Sequence, residues 1–278
     1  MKTCKELGLE KISLNSAQIQ NAQAILKYCD TYGIKNPILK NAILTICFKE
    51  SKFTAKVEIC YNNTSNERIR KIFGARLKNL TEAQLTALKK NCTAFFDKVY
   101  GKEAEPFLGF KTGNDNKGDG FKYRGRGYNG ITFKVQYKDL GKKLGVDLEN
   151  KPELLENPDL QAKATALYFA EIFEKYDKLI KQKYGSSAKD IKNYDTALKL
   201  VYNINAGLGN NIESLIKNDT TDGWAIVQCS KEAIPKLIGS ASGSFKPIVP
   251  LLAGLFFLAV INPKWIKKNT PKSLKKYL

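Results

Sequence analysis

The chain has 278 residues, 43% of them hydrophobic and 26% charged, which is enough apolar material to pack a core and too much for global disorder. Its 46 Lys and Arg outnumber 27 Asp and Glu, and the formal net charge of +19 favours polyanionic partners without choosing among nucleic acid, anionic lipid and anionic wall polymers. Histidine is absent; this excludes Ser-His-Asp and Cys-His nucleophiles and His-ligated zinc, and leaves carboxylates to act as acid and base near neutral pH.

The first residues, Met1-Lys2-Thr3-Cys4-Lys5-Glu6, lack the apolar run of a signal peptide, so synthesis in a reducing cytoplasm is expected. Ser16 is placed as the cap of a helix that carries Ile19, Ala22, Ile25 and Leu26 and ends near Tyr32-Gly33. Asn36-Pro37 opens a second helix with proline at its first position. Leu39, Ala42, Ile43, Ile46 and Cys47 follow at steps of three and four and define one buried stripe. Glu50 extends that stripe at the helix's C-terminal end, so its carboxyl is expected to be partly desolvated. Residues 62–66 read as a loop, and 67–74 as a short helix stopped by glycine. Thr81 caps another helix, with Leu85, Leu88, Cys92, Phe95 and Val99 on one face.

The six cysteines are irregularly spaced without a CxxC, and Cys47 and Cys92 fall on apolar helical faces. Buried free thiols are expected in place of a disulfide framework. Residues 109–130, rich in Gly, Asn, Asp and Lys, read as a long loop with room for a small hairpin; loops of that length inside a domain are usually functional. Helices resume over about 133–145, 158–183 and 187–204, and Gly207 and Gly209 then break the pattern. Gly239-Ser240-Ala241-Ser242-Gly243-Ser244 reads as a flexible linker, dividing a domain of 1–238 from a tail of 239–278. The tail holds an apolar run of 14 residues, 248–261, interrupted by Pro250 and followed by six lysines. A bilayer span needs about 20 residues. The run is therefore either a buried helix or assembly contact, or a membrane anchor with its lysines at the headgroups.

The candidate chemistry lies in two glutamates. Glycosidic bond cleavage needs one carboxyl as proton donor and one as base or nucleophile. Periodicity gives Glu50 the apolar setting of an acid. Glu58 lies past the helix end near Tyr61, Asn62 and Asn63, a more polar setting in which it is expected to stay ionised and act as the base. Behind the pair come Gly118-Asp119-Gly120-Phe121-Lys122-Tyr123-Arg124-Gly125-Arg126-Gly127 and then Ile131-Thr132-Phe133.

An acid pair followed by this glycine- and arginine-rich word resembles the catalytic core of glycoside hydrolase family 19, most closely its phage and bacterial branch that cuts peptidoglycan. The resemblance runs from about residue 36 to about 215. It implies a mainly α, lysozyme-like, two-lobed fold with a small hairpin or long loop beside the cleft. It implies Glu50 as general acid, Glu58 as general base, and Thr132 as the hydroxyl that helps hold the attacking water. Asn205, in Tyr202-Asn203-Ile204-Asn205-Ala206-Gly207, then lines the sugar cleft. Tyr61, Asn62, Tyr123, Arg126 and Gln136 complete the expected substrate contacts, although Arg126, like Arg124, also suits a bracing role in a tight loop. Two positions depart from the family pattern: Lys49 stands where His is usual, and Gly130 where a sugar-binding Gln is usual.

The implied activity is that of an endolysin or virion-associated lysozyme: inverting hydrolysis of β-1,4 bonds in peptidoglycan or a related amino-sugar polymer, with carboxyls about 6.5–9.5 Å apart. Neither a metal nor an organic cofactor is expected. Residues 246–278 are expected to govern virion or membrane attachment, and no specific nucleic acid is expected. A chitinase is the alternative within the same chemistry. A basic wall-binding or structural virion protein that has lost activity is the alternative outside it.

Overall fold

A computed structural model describes residues 2–219 and 221–242. Among these residues the chain is mainly α, as expected, with fourteen α-helices, four short 3-10 turns and no strand. In order the helices are α1 (Ser16–Thr31), α2 (Pro37–Ser51), α3 (Asn66–Phe73), α4 (Glu82–Lys90), α5 (Cys92–Tyr100), α6 (Glu105–Leu108) and α7 (Asp119–Lys122). They continue as α8 (Lys134–Leu144), α9 (Pro158–Lys175), α10 (Asp177–Tyr184), α11 (Tyr194–Ala206), α12 (Ile212–Lys217), α13 (Gly223–Ser230) and α14 (Ala233–Ser242).

The centre of the fold is α2. Every residue from Ala42 to Phe48 is buried, so the stripe read from the sequence widens into a helix enclosed on all sides. Around it α1, α9, α11 and α13 contribute Ile25, Phe169, Leu200 and Val227 to the main core. A second cluster joins α3, α4 and α5 through Phe73, Leu85, Phe95, Phe96 and Val99. A third gathers Tyr123, Tyr137, Leu140 and Leu155 under the loop that follows α7. The compact unit runs over Met1–Ala241.

Several boundaries differ from the sequence reading. Asn15, not Ser16, caps α1, through a reciprocal pair of bonds with Gln18. The helix expected from Thr81 is two helices, because the Asn91 side chain accepts from the Ala94 N–H and starts α5 afresh. The expected helix over 158–183 is likewise divided at Tyr176 into α9 and α10. Residues 239–242 finish α14 and do not begin a linker; Ile234 and Ile238, one turn apart, are buried and anchor that last helix. The rest of the expected linker, the apolar run and the lysines after it lie outside the described residues. Among those described, no helix is long and apolar enough to cross a membrane.

The cysteine reading needs the largest correction. Cys4 pairs with Cys229 and Cys60 with Cys92, leaving Cys29 and Cys47 as the buried free thiols. The pairs are 225 and 32 residues apart in sequence. Spacing alone therefore gives no sign of them, and the apolar neighbours of Cys92 obscure its role.

Candidate active site

Glu50 sits in the last turn of α2, and the chain turns sharply just after it. Lys52 and Phe53 both take left-handed backbone conformations, with φ of 51° and 56°, a strain of about 1–3 kcal/mol at each non-glycine position. Neighbours hold that strain in place. Gln18 and Asn21 of α1 donate to the carbonyls of Lys52 and Phe53, both at 2.8 Å, and the Phe53 ring is fully buried. The chain then returns alongside the glycine- and arginine-rich word. The Glu58 N–H donates to Gly125 O at 2.8 Å, and Val57 pairs with Arg126. Arg126 and Ile131 exchange backbone bonds of 2.9 and 2.7 Å. The expected hairpin is thus reduced to isolated bridges around a tight turn.

Glu50 and Glu58 line one cleft of about 690 Å³, together with Tyr61, Tyr100, Gly125 and Thr132. Glu50 is half-buried, in line with its place at the end of the stripe, while Glu58 is more closed in than its polar neighbours suggest. Glu58 is the enclosed carboxyl. Its Oε1 accepts from Tyr61 at 2.8 Å and Tyr100 at 3.0 Å; its Oε2 accepts from Tyr100 at 3.1 Å and the Gly125 N–H at 3.2 Å. Burial raises its pKa above the usual carboxylate range, against the opposing pull of these donors. Burial and the nearby Glu58 charge also push the Tyr61 and Tyr100 phenols up.

The side chain of Glu50 is 26% exposed, and its Oε1 accepts from Lys49 Nζ and from Asn205 Nδ2, both at 2.6 Å. Lys49 also lies 5.2 Å above the Tyr202 ring, and the Tyr202 hydroxyl donates to Asp219 at 3.1 Å.

Thr132 faces the same side of Gly125 as the Glu58 carboxylate. A Cβ built on Gly125 would stand 3.2 Å from Glu58 Oε2 and 3.5 Å from Thr132 Oγ1, so glycine keeps the space between carboxylate and hydroxyl open. Thr132 Oγ1 donates to Gly130 O at 2.9 Å, and its N–H donates to Gln136 Oε1 at 3.1 Å. Gln136 and Asn205 line an adjoining compartment that shares Gly130 and Thr132 with the cleft.

Three of the expected substrate contacts stand elsewhere. Tyr123 is 1% exposed, packed in the third cluster, with its hydroxyl donating to Glu149 O at 2.7 Å. Arg126 is 5% exposed and braces the turn: it donates to Glu156 at 3.1 Å, Lys122 O at 2.8 Å and the Tyr137 hydroxyl at 3.1 Å. Asn62 is exposed but outside the lining of the cleft and its adjoining compartment. Tyr61 does line the cleft, where it also holds Glu58. Arg124 has a bracing role too, donating to Glu58 O at 2.9 Å and lying 4.0 Å above the Phe121 ring.

Sequence reasoning missed Tyr100, which reaches Glu58 from the end of α5 across 42 residues. No local signal marks it out from the aromatic residues of that helix. Among the described residues no group of three or more Cys, Asp or Glu side chains is arranged to hold a metal ion. No protein-family model matches the sequence, and no curated protein matches it either.

Proposed function

We propose that this chain is a glycoside hydrolase similar to family 19, cutting β-1,4 bonds of bacterial peptidoglycan with inversion. The observation that carries the reading is the meeting of Glu50 and Glu58 in one cleft, in unlike surroundings, with the Thr132 hydroxyl beside Glu58. In this mechanism water attacks the anomeric carbon while Glu58 takes its proton. The bond from that carbon to the leaving oxygen breaks, and the oxygen takes the proton of Glu50. Tyr61, Tyr100 and the Gly125 N–H fix the direction of the Glu58 lone pairs, and enclosure that raises its pKa makes it the stronger base once ionised. Thr132 Oγ1 gives its proton to Gly130 O and so offers lone pairs to the attacking water. Lys49 and Asn205 hold Oε1 of Glu50, and Oε2 is then the oxygen that delivers the proton.

Two disulfides suit a protein whose place of action is the oxidising outside of a cell, and the charge of +19 suits an anionic wall. Action as an endolysin or virion-associated lysozyme, attached through 246–278, belongs to the same proposal. The Lys49–Glu50 ion pair favours one other reading, a wall-binding protein with this cleft and no turnover, because it sets a cation directly against the carboxyl that has to give the proton.

The test is release of reducing ends from purified peptidoglycan and from chitin oligomers by the wild type, Glu50→Gln and Glu58→Gln. Each variant should lose about 10²–10⁴ in rate with its circular dichroism unchanged. A wild type that binds walls without releasing reducing ends would establish the second reading, and retained anomeric configuration in the products would remove the water-activating role of Glu58.

A further inference from the structure

The compartment beside the cleft, about 270 Å³ in volume, has walls suited to a sugar ring. Phe110 forms one of them and is 43% exposed. Its ring meets Phe133 edge-on, with centroids 5.1 Å apart at 82°, and Phe133 meets Tyr100 in the same way at 5.4 Å and 85°. Phe133 has a φ of 73°, a conformation that a bulky residue keeps only when its surroundings impose it. Phe110 is therefore an accessible aromatic side chain on a fixed support.

Two amides in the same lining are each committed on one side only. Gln136 Oε1 accepts from the Thr132 N–H, which leaves Nε2 as a donor. Asn205 Nδ2 donates to Glu50, which leaves Oδ1 as an acceptor. A remaining donor and a remaining acceptor complement the C=O and N–H of one acetamido group. The C–H face of a pyranose ring complements an aromatic surface.

We propose that Phe110 is the stacking platform for an N-acetylated amino-sugar ring next to the one being cleaved, with Gln136 Nε2 and Asn205 Oδ1 reading its acetamido group. The inference rests on the hydrolase reading for its place in the reaction. Gly130 and Thr132 line both the compartment and the cleft, so neighbouring rings of one polymer would lie on either side of this shared wall. Phe110 lines the compartment and not the cleft that holds Glu50 and Glu58, and it acts in binding. It strengthens ground state and transition state alike, so its loss appears in KM.

The experiment compares wild type, Phe110→Ala and Phe110→Tyr in steady-state hydrolysis of solubilised peptidoglycan. It also compares, by calorimetry, N-acetylglucosamine trimer binding to the three proteins carrying Glu58→Gln. Phe110→Ala should raise KM on the order of tenfold with kcat within about twofold, weaken trimer binding by a similar factor, and be rescued by Phe110→Tyr. Unchanged KM and trimer affinity in Phe110→Ala, or a loss confined to kcat, would overturn the platform. If the wild type cleaves nothing, the hydrolase reading fails by itself, and the calorimetry still decides: weaker trimer binding in Phe110→Ala upholds the platform, while equal or undetectable binding to all three proteins removes it.

Discussion

Cys60 lies two residues beyond Glu58, and Cys92 opens α5, the helix that ends in Tyr100. The Cys60–Cys92 bridge thus joins two segments that meet again at the Glu58 carboxylate. Replacing both cysteines by serine should cost stability and activity together. With a separation of 32 residues, the loop-closure entropy regained by the unfolded chain is about 4 kcal/mol at 25 °C. That is a large part of the roughly 5–15 kcal/mol by which a domain is stable. Guanidinium unfolding of the oxidised wild type and the double variant measures it. Thiol titration in denaturant gives the companion count: two reactive thiols without reductant, Cys29 and Cys47, and six with it. Wall cleavage by the variant should fall further than its unfolded fraction explains, because the Glu58 segment loses its tie to α5. Six thiols without reductant, or a stability change under about 1 kcal/mol, would refute the reasoning.

The remaining predictions concern Glu58, its partners and the tail. A carboxyl whose folded pKa is raised contributes stability at low pH that is lost as pH rises through the folded value; Glu58→Gln should therefore have a higher Tm than wild type at pH 7 and a converging Tm below the usual carboxylate range, and a lower Tm at pH 7 would contradict the burial argument. Tyr100→Phe removes a donor to both Glu58 oxygens; the pH–rate limb reporting Glu58 ionisation should move to higher pH, with about a tenfold loss of rate at neutral pH, and an unmoved limb would show that Tyr100 only packs. A chain ending at residue 245 should fold and cleave isolated walls like the full chain, because the compact unit closes at Ala241; a truncated protein without cooperative unfolding would show that the tail belongs to the fold.

What could be read from the sequence, and what could not, divides by the range of the interactions. The apolar steps of three and four along α2 are local, and they located a buried helix with Glu50 at its end. Capping residues are local as well, and Thr81 and Asn36 start their helices as such residues do. The surroundings of the two glutamates are not local. Periodicity assigns Glu50 to the buried face of its own helix but is silent on the cleft that opens at the helix end, where Asn205 meets it from 155 residues away. The enclosure of Glu58 comes from Tyr100 and Gly125, 42 and 67 residues away. The same division explains why Tyr123 and Arg126 are scaffold while Gly125 between them faces the cleft. In that word the side chains are spent on the core and on bracing bonds. What reaches Glu58 is backbone: the Gly125 carbonyl takes its N–H, the Gly125 N–H holds its carboxylate, and the missing Cβ leaves the room beside Thr132. The glycine- and arginine-rich word is best understood as a device for bringing bare backbone up to a half-buried carboxylate. A change of Gly125 to any larger residue should then disturb Glu58 more directly than a change of either arginine.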